Sequence, residues 1–173
     1  MFHAPFVPKS HAGARGSLRI LENVMKLRQG LTMDIVIFHN PACGTSRNVV
    51  QIARDAGYDP TVIEYLDTGW TRPQLLALFA AAGLTPRDAL RVSKSPAAEL
   101  GLLEEGVSDD TLLDAMVAHP ILVNRPIVAC TGGVRLCRPS GEVLDLLPNW
   151  PSAPYAKENG DLLIDADGVR LPE

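Results

Sequence analysis

The chain has 173 residues, of which 46% are hydrophobic, and a formal net charge of -4. That length supports one domain with a full core, and the acidic balance argues against general nucleic-acid binding, so any anion site must be built from a few placed arginines. No apolar run reaches the roughly 20 residues of a membrane span and no secretory signal stands out, so the expectation is a cytoplasmic protein without a membrane or nucleic-acid partner.

Residues 1–32 differ from the rest. They carry Lys9, Arg15, Arg19, Lys26 and Arg28 against the single acid Glu22, and Leu18, Leu21, Val24, Met25 and Leu27 are spaced for a short amphipathic helix. They read as a flexible extension, with Met33 as an alternative start, ahead of a domain over residues 33–173. The apolar run Ile35-Val36-Ile37-Phe38 predicts a buried strand, and Val49, Ile52, Ala53 and Ala56 predict a helix from Thr45 that Gly57 stops. Thr61 to Leu66 predicts a second strand, parallel to the first across this β-α-β unit.

A helical middle follows. Thr71 and Gln74 make a capping-box pattern ahead of Leu75, Leu78 and Phe79, Thr85-Pro86 with Asp88 predicts a short helix ending near Arg91, and Ser108 caps a helix with Leu112, Leu113, Met116 and Val117 on its core face. Pro126 to Cys130 and Arg135 to Arg138 predict a hairpin turning at Gly132-Gly133. Ser140 is expected to cap a last core helix with Val143, Leu144 and Leu147, and Asp161 to Leu171 to form a small outer hairpin around Asp167-Gly168. This order resembles an α/β thioredoxin-like domain: a mixed sheet with a helical insertion.

The chemistry centres on Cys43, set between the first strand and its helix, where free backbone N–H groups favour thiolate over thiol. It stands in a Cys-x-x-Ser arrangement, so Ser46 can hydrogen-bond a thiolate but cannot form a disulfide, and resolution must come from an outside thiol. His39, four residues earlier, is placed to tune that thiolate electrostatically or through hydrogen bonds. Arg91, Arg125 and Arg138 offer planar N–H forks suited to a tetrahedral oxyanion. The three cysteines are too scattered for a disulfide framework and lack the paired spacing of a zinc site, so no bound metal is expected.

Three segments, His39-Asn40-Pro41-Ala42-Cys43-Gly44-Thr45-Ser46-Arg47, then His119 to Val128, then Arg135-Leu136-Cys137-Arg138-Pro139-Ser140, together resemble the glutaredoxin-coupled arsenate reductases over most of Met33 to the C-terminus. The resemblance implies that arsenate sits among Arg91, Arg125 and Arg138 and that the Cys43 thiolate attacks arsenic. Glutathione then attacks the adduct, and glutaredoxin completes the reduction to arsenite, with no bound cofactor. It also implies a cis peptide at Arg125-Pro126. Val92-Ser93-Lys94 departs from the more basic, Asn-containing stretch the family would place after Arg91.

Two other readings share the fold. A general glutaredoxin-like thiol oxidoreductase needs Cys43 but has no use for three arginines, and RNA-polymerase-binding regulators of this fold tend to carry Cys-x-x-Cys and lack the Arg125 and Arg138 contexts. Cys130 and Cys137 resemble the resolving pair of the thioredoxin-coupled reductases, but a turn at Gly132-Gly133 would leave them diagonal, too far apart for an easy disulfide. Arg47 also stands too close to Cys43 for the Cys-x5-Arg loop of that other fold.

Overall fold

The computed structural model describes residues 33–173, so the helix and flexibility expected within residues 1–32 lie outside the described residues. Its main sheet has the strand order β2-β1-β3-β4. β1 (Ile35–His39) pairs in parallel with β2 (Thr61–Glu64) and antiparallel with β3 (Ile127–Cys130), which pairs antiparallel with β4 (Gly133–Leu136). This is the expected thioredoxin-like α/β arrangement.

β1 is buried on both faces, which is why it reads as a continuous apolar run rather than an alternating one. Phe38 joins a core with Tyr65, Trp70, Leu75, Leu112 and Leu122 from the helical insertion. Ile35 and Ile37, also buried, alternate to the other face. That face is covered by α1 (Gly44–Asp55), whose Val49, Ile52 and Ala53 are fully buried and which packs against a 3-10 helix at Ser140–Leu146. α3 (Arg72–Ala82) packs on β4 and on α4 (Asp109–Ala118). Both helices start at the caps read from the sequence: Thr71 Oγ1 accepts the Gln74 N–H at 3.3 Å, and Ser108 Oγ accepts the Thr111 N–H at 3.2 Å.

Several expectations are corrected. β2 ends at Glu64, and Tyr65 and Leu66 belong to a short helix, α2 (Tyr65–Thr68), closed by the Gly69 N–H on the Tyr65 carbonyl, with Gly69 at φ +72°. No helix forms after Thr85. Asp88 accepts from both the N–H and the hydroxyl of Thr85 (2.9 and 2.7 Å), which closes a turn, and Leu90 is drawn into a bridge with Val123 instead. Val117 is 37% exposed and is not core.

The β3–β4 loop is Thr131-Gly132 rather than Gly132-Gly133, and Gly133 pairs with Cys130. A Cβ on Gly132 would lie 2.9 Å from the Leu146 carbonyl, so the tip packs too closely for a side chain there. Cys137 consequently stands beside Pro126, whose carbonyl accepts its N–H at 2.9 Å, and all three cysteines are free. The helix after Pro139 is 3-10, and Ser140 does not cap it but donates its hydroxyl to Glu173. The C-terminal hairpin is present as β6 (Leu162–Ile164) returning to Arg170, but β6 also pairs with β5 (Tyr155–Ala156), and its Leu163 and Ile164 are buried rather than outer.

Candidate functional site

The loop after β1 sets Cys43 at the head of α1. Asn40 shapes it: the side-chain oxygen accepts the Ala42 N–H at 2.9 Å and the carbonyl accepts the Cys43 N–H at 3.0 Å. Cys43 is therefore the extended N-cap residue (φ -109°, ψ 116°), and its carbonyl takes the first helical bond from Arg47 at 3.0 Å. No acidic residue occupies the first turn of α1, so the positive end of the helix is left for the sulfur. Cys43 is 7% exposed. Burial pushes its thiol up, but the Ser46 N–H and hydroxyl and the Arg125 and Arg138 charges outweigh it and hold the thiol below the ordinary range. The Ser46 hydroxyl is itself fully buried with no hydrogen-bond partner among the described residues, a donor waiting for an anion.

The three arginines come from distant parts of the chain. Arg91 leaves the insertion with its N–H on the Leu122 carbonyl (2.7 Å) and its Nε on the Ser93 carbonyl (2.9 Å), so only the end of its guanidinium is free. Arg125 precedes Pro126 across a cis peptide and keeps a buried Nε with no partner among the described residues. Arg138 precedes Pro139 across another and is exposed, with Nη1 3.5 Å from the Arg125 carbonyl. Arg47, Arg72, Arg135 and Arg170 each pair with carboxylates. Among the described residues Arg91, Arg125 and Arg138 form no such pair. Burial and the neighbouring Arg125 charge hold Arg91 below the usual guanidinium range, and its attraction to Cys43 works the other way. The departure from the family pattern after Arg91 thus leaves Arg91 within the electrostatic reach of Cys43, Arg125 and Arg138.

His39 differs in character. It is buried, its Nδ1 has no partner among the described residues, and burial lowers its pKa despite Glu64, its partner across β1 and β2. A neutral imidazole has no charge to offer the thiolate, and its contact toward the site is with the Ser46 backbone. The sequence reading missed Tyr65 altogether. Its fully buried hydroxyl donates to the Val123 carbonyl at 3.4 Å, and its ring stacks on Trp70 (5.0 Å, 28°). Burial raises its pKa, opposed by Arg125 and Arg91, so it stays a neutral donor. The one signal for it was position: it follows the strand parallel to β1, beside the Cys43 loop.

Among the described residues no group of three or more His, Cys, Asp or Glu could hold a metal ion, and no helix is long and apolar enough to cross a membrane. Cys137 is fully buried, and burial pushes its thiol up to about 12. Cys43, by contrast, lies within the field of Arg125 and Arg138, which have no carboxylate partner among the described residues. That arrangement can bind a tetrahedral oxyanion and attack it through sulfur.

A four-stranded mixed sheet with a cysteine at the head of the first helix defines a thioredoxin-like fold. The ArsC family model matches residues 38–146, and the chain belongs to that family. It is 69% identical over 137 residues to an arsenate reductase of Synechocystis sp., covering 79% of this chain and 98% of that one. It is 49% identical over 138 residues to an arsenate reductase of Escherichia coli, covering 80% and 98%. An arsenate reductase structure from Vibrio cholerae superposes with a TM-score of 0.65 at 39% identity, over 68% of this chain and 100% of that one.

Proposed function

We propose that this chain reduces arsenate to arsenite, with Cys43 as nucleophile, Arg125 and Arg138 binding the oxyanion, Arg91 assisting, Ser46 tuning the thiolate, and neutral His39 acting on it only through the Ser46 backbone. The observation that carries the reading is the meeting of a lowered thiol with three guanidinium groups that lack carboxylate partners among the described residues. A general thiol oxidoreductase has no use for such a cluster. The relatives named above are arsenate reductases, which supports the same choice.

The Cys43 thiolate attacks arsenic(V), and an arsenate oxygen leaves as water or hydroxide. The arginines offset the charge at both stages. Glutathione thiolate then displaces a second oxygen from the adduct. A glutaredoxin thiolate attacks the glutathione sulfur, the arsenic–sulfur pair stays on arsenic, and arsenic(V) becomes arsenic(III) as a mixed disulfide forms. Water releases arsenite and restores Cys43. Ser46 in place of a second cysteine supports this use of outside thiols. We assign the activity to residues 33–173 and place the protein in the cytoplasm, where thiols stay reduced.

The test is arsenite production by purified protein with glutathione and glutaredoxin, compared with thioredoxin, for the parent, Cys43→Ser and a chain lacking residues 1–32. Turnover is expected with glutaredoxin only, unchanged without residues 1–32 and absent in Cys43→Ser. Activity surviving Cys43→Ser would falsify the nucleophile, and equal turnover with thioredoxin would refute the reductant.

A further inference from the structure

Residues 155–173 lie beyond the stretch matched by the family model and form a strap, two of whose carboxylates, Glu158 and Glu173, bond to residues near Cys43 and Arg138 in the chain. Glu158 accepts from Arg47 Nε at 2.9 Å and Nη2 at 3.0 Å, and its N–H donates to Asn48 Oδ1 at 2.9 Å. Arg47 Nη1 donates to the Pro41 carbonyl at 2.8 Å, so this anchor ends on the loop that carries Cys43. The other anchor is Glu173, whose side chain is 8% exposed. It accepts from the Ser140 hydroxyl at 3.1 Å, the Gly141 N–H at 2.5 Å and Lys157 Nζ at 2.8 Å. A Cβ on Gly141 would collide with this carboxylate and with Leu163, so the seat is shaped around the Glu173 side chain.

Ser140 and Gly141 follow directly on Arg138-Pro139. The Arg138 side chain is exposed and its hydrogen bond to the Arg125 carbonyl is long, 3.5 Å. Its place is therefore set through the backbone, by the Cys137 N–H on the Pro126 carbonyl on one side and by Glu173 on the other. We infer that Glu173 is a positioning residue for Arg138, and that Glu158 and Glu173, linked by Lys157, fix the separation between Arg138 and the Cys43 thiolate. The inference rests on Arg138 as an oxyanion ligand, as proposed above.

The test is steady-state arsenate reduction by the full chain with glutathione and glutaredoxin, with Glu173→Ala made in the parent and in Arg138→Ala. In the parent the arsenate KM is expected to rise about tenfold, the scale of one charged hydrogen bond, with kcat within about twofold. In the Arg138→Ala background the same change should alter KM less than about twofold, because the residue being positioned is gone. Glu173→Gln, which keeps an acceptor for Ser140, should give an intermediate rise. Equal KM effects in both backgrounds would reduce Glu173 to a structural clamp and overturn the inference. Should Glu173→Ala fail to fold, Glu173→Gln is compared in the same two backgrounds, and equal KM effects there overturn the inference in the same way. An Arg138→Ala protein with unchanged arsenate KM would overturn the role of Arg138 itself, and this inference with it.

Discussion

Ser46→Ala separates the reactivity of Cys43 from the stability of the fold. The Ser46 hydroxyl is buried without a partner among the described residues, and with its own N–H it opposes the burial that pushes the Cys43 thiol up. A hydrogen bond to an ionised acceptor contributes about 1.5–3 kcal/mol, which is about tenfold or more in the thiol–thiolate equilibrium. The Ser46 N–H, Arg125 and Arg138 all remain in the variant, so the lower end applies. The thiol–thiolate equilibrium of Cys43 should shift about tenfold toward the thiol. At a pH low enough to keep the Cys43 thiol protonated, folding should respond in the opposite sense, since the hydroxyl has no partner there among the described residues and deleting it spares its desolvation. The assay is the rate of iodoacetamide alkylation of Cys43 against pH in a Cys130→Ser/Cys137→Ser background, with thermal melts. Because the folded thiol is lowered, its reactivity persists below the range of an ordinary thiol and is lost as pH falls through the folded value; Ser46→Ala moves that loss to higher pH. Superimposable profiles, or a fall in melting temperature where the thiol is protonated, would refute the reasoning.

Three further expectations concern the wider site and the core. Changing both Cys130 and Cys137 to Ser should leave glutathione-dependent arsenate reduction largely intact, since Cys137 is buried and neither forms a disulfide; a folded double variant without turnover would sink this. Arg125→Ala removes both a ligand and a charge acting on Cys43, so kcat/KM for arsenate should drop at least about a hundredfold, as for loss of a buried charged donor, and Cys43 alkylation near neutral pH should slow. An unchanged alkylation profile would remove Arg125 from the thiolate's surroundings. Ile37→Ala, at a fully buried position on the central strand, should cost about 2–5 kcal/mol by urea denaturation, and a loss under about 1 kcal/mol would mean the site collapses to fill the cavity.

The elements legible in the sequence were those fixed by local chemistry. Thr71 and Ser108 announced their helices because a side-chain cap and the apolar stripe behind it are read within a few residues. Cys43 was legible for the same reason, at the junction of a strand and a helix. The Thr85 turn misled because Asp88 does bond back to Thr85 as a cap would, yet Leu90 is claimed by Val123 from 33 positions along the chain. Tyr65 hid at the end of a β-branched run, where nothing local separates the last strand residue from the first of a short helix. The meeting of Arg91, Arg125 and Arg138 has no periodicity, and family resemblance rather than spacing brought them together. The strap was invisible for a related reason: Glu158 and Arg47 are 111 residues apart and look like any two surface charges.

The guanidinium groups without carboxylate partners among the described residues also bear on how the protein's stability is measured. Three like charges, one of them 7% exposed, repel one another, so a tetrahedral oxyanion settling among them would favour the folded chain over the unfolded one. At a hundred times its dissociation constant such an ion adds about 2.7 kcal/mol to the unfolding free energy. With the arginines as oxyanion ligands, phosphate or sulfate in a buffer would act as a ligand, and melts recorded in those salts and in chloride would describe two different equilibria.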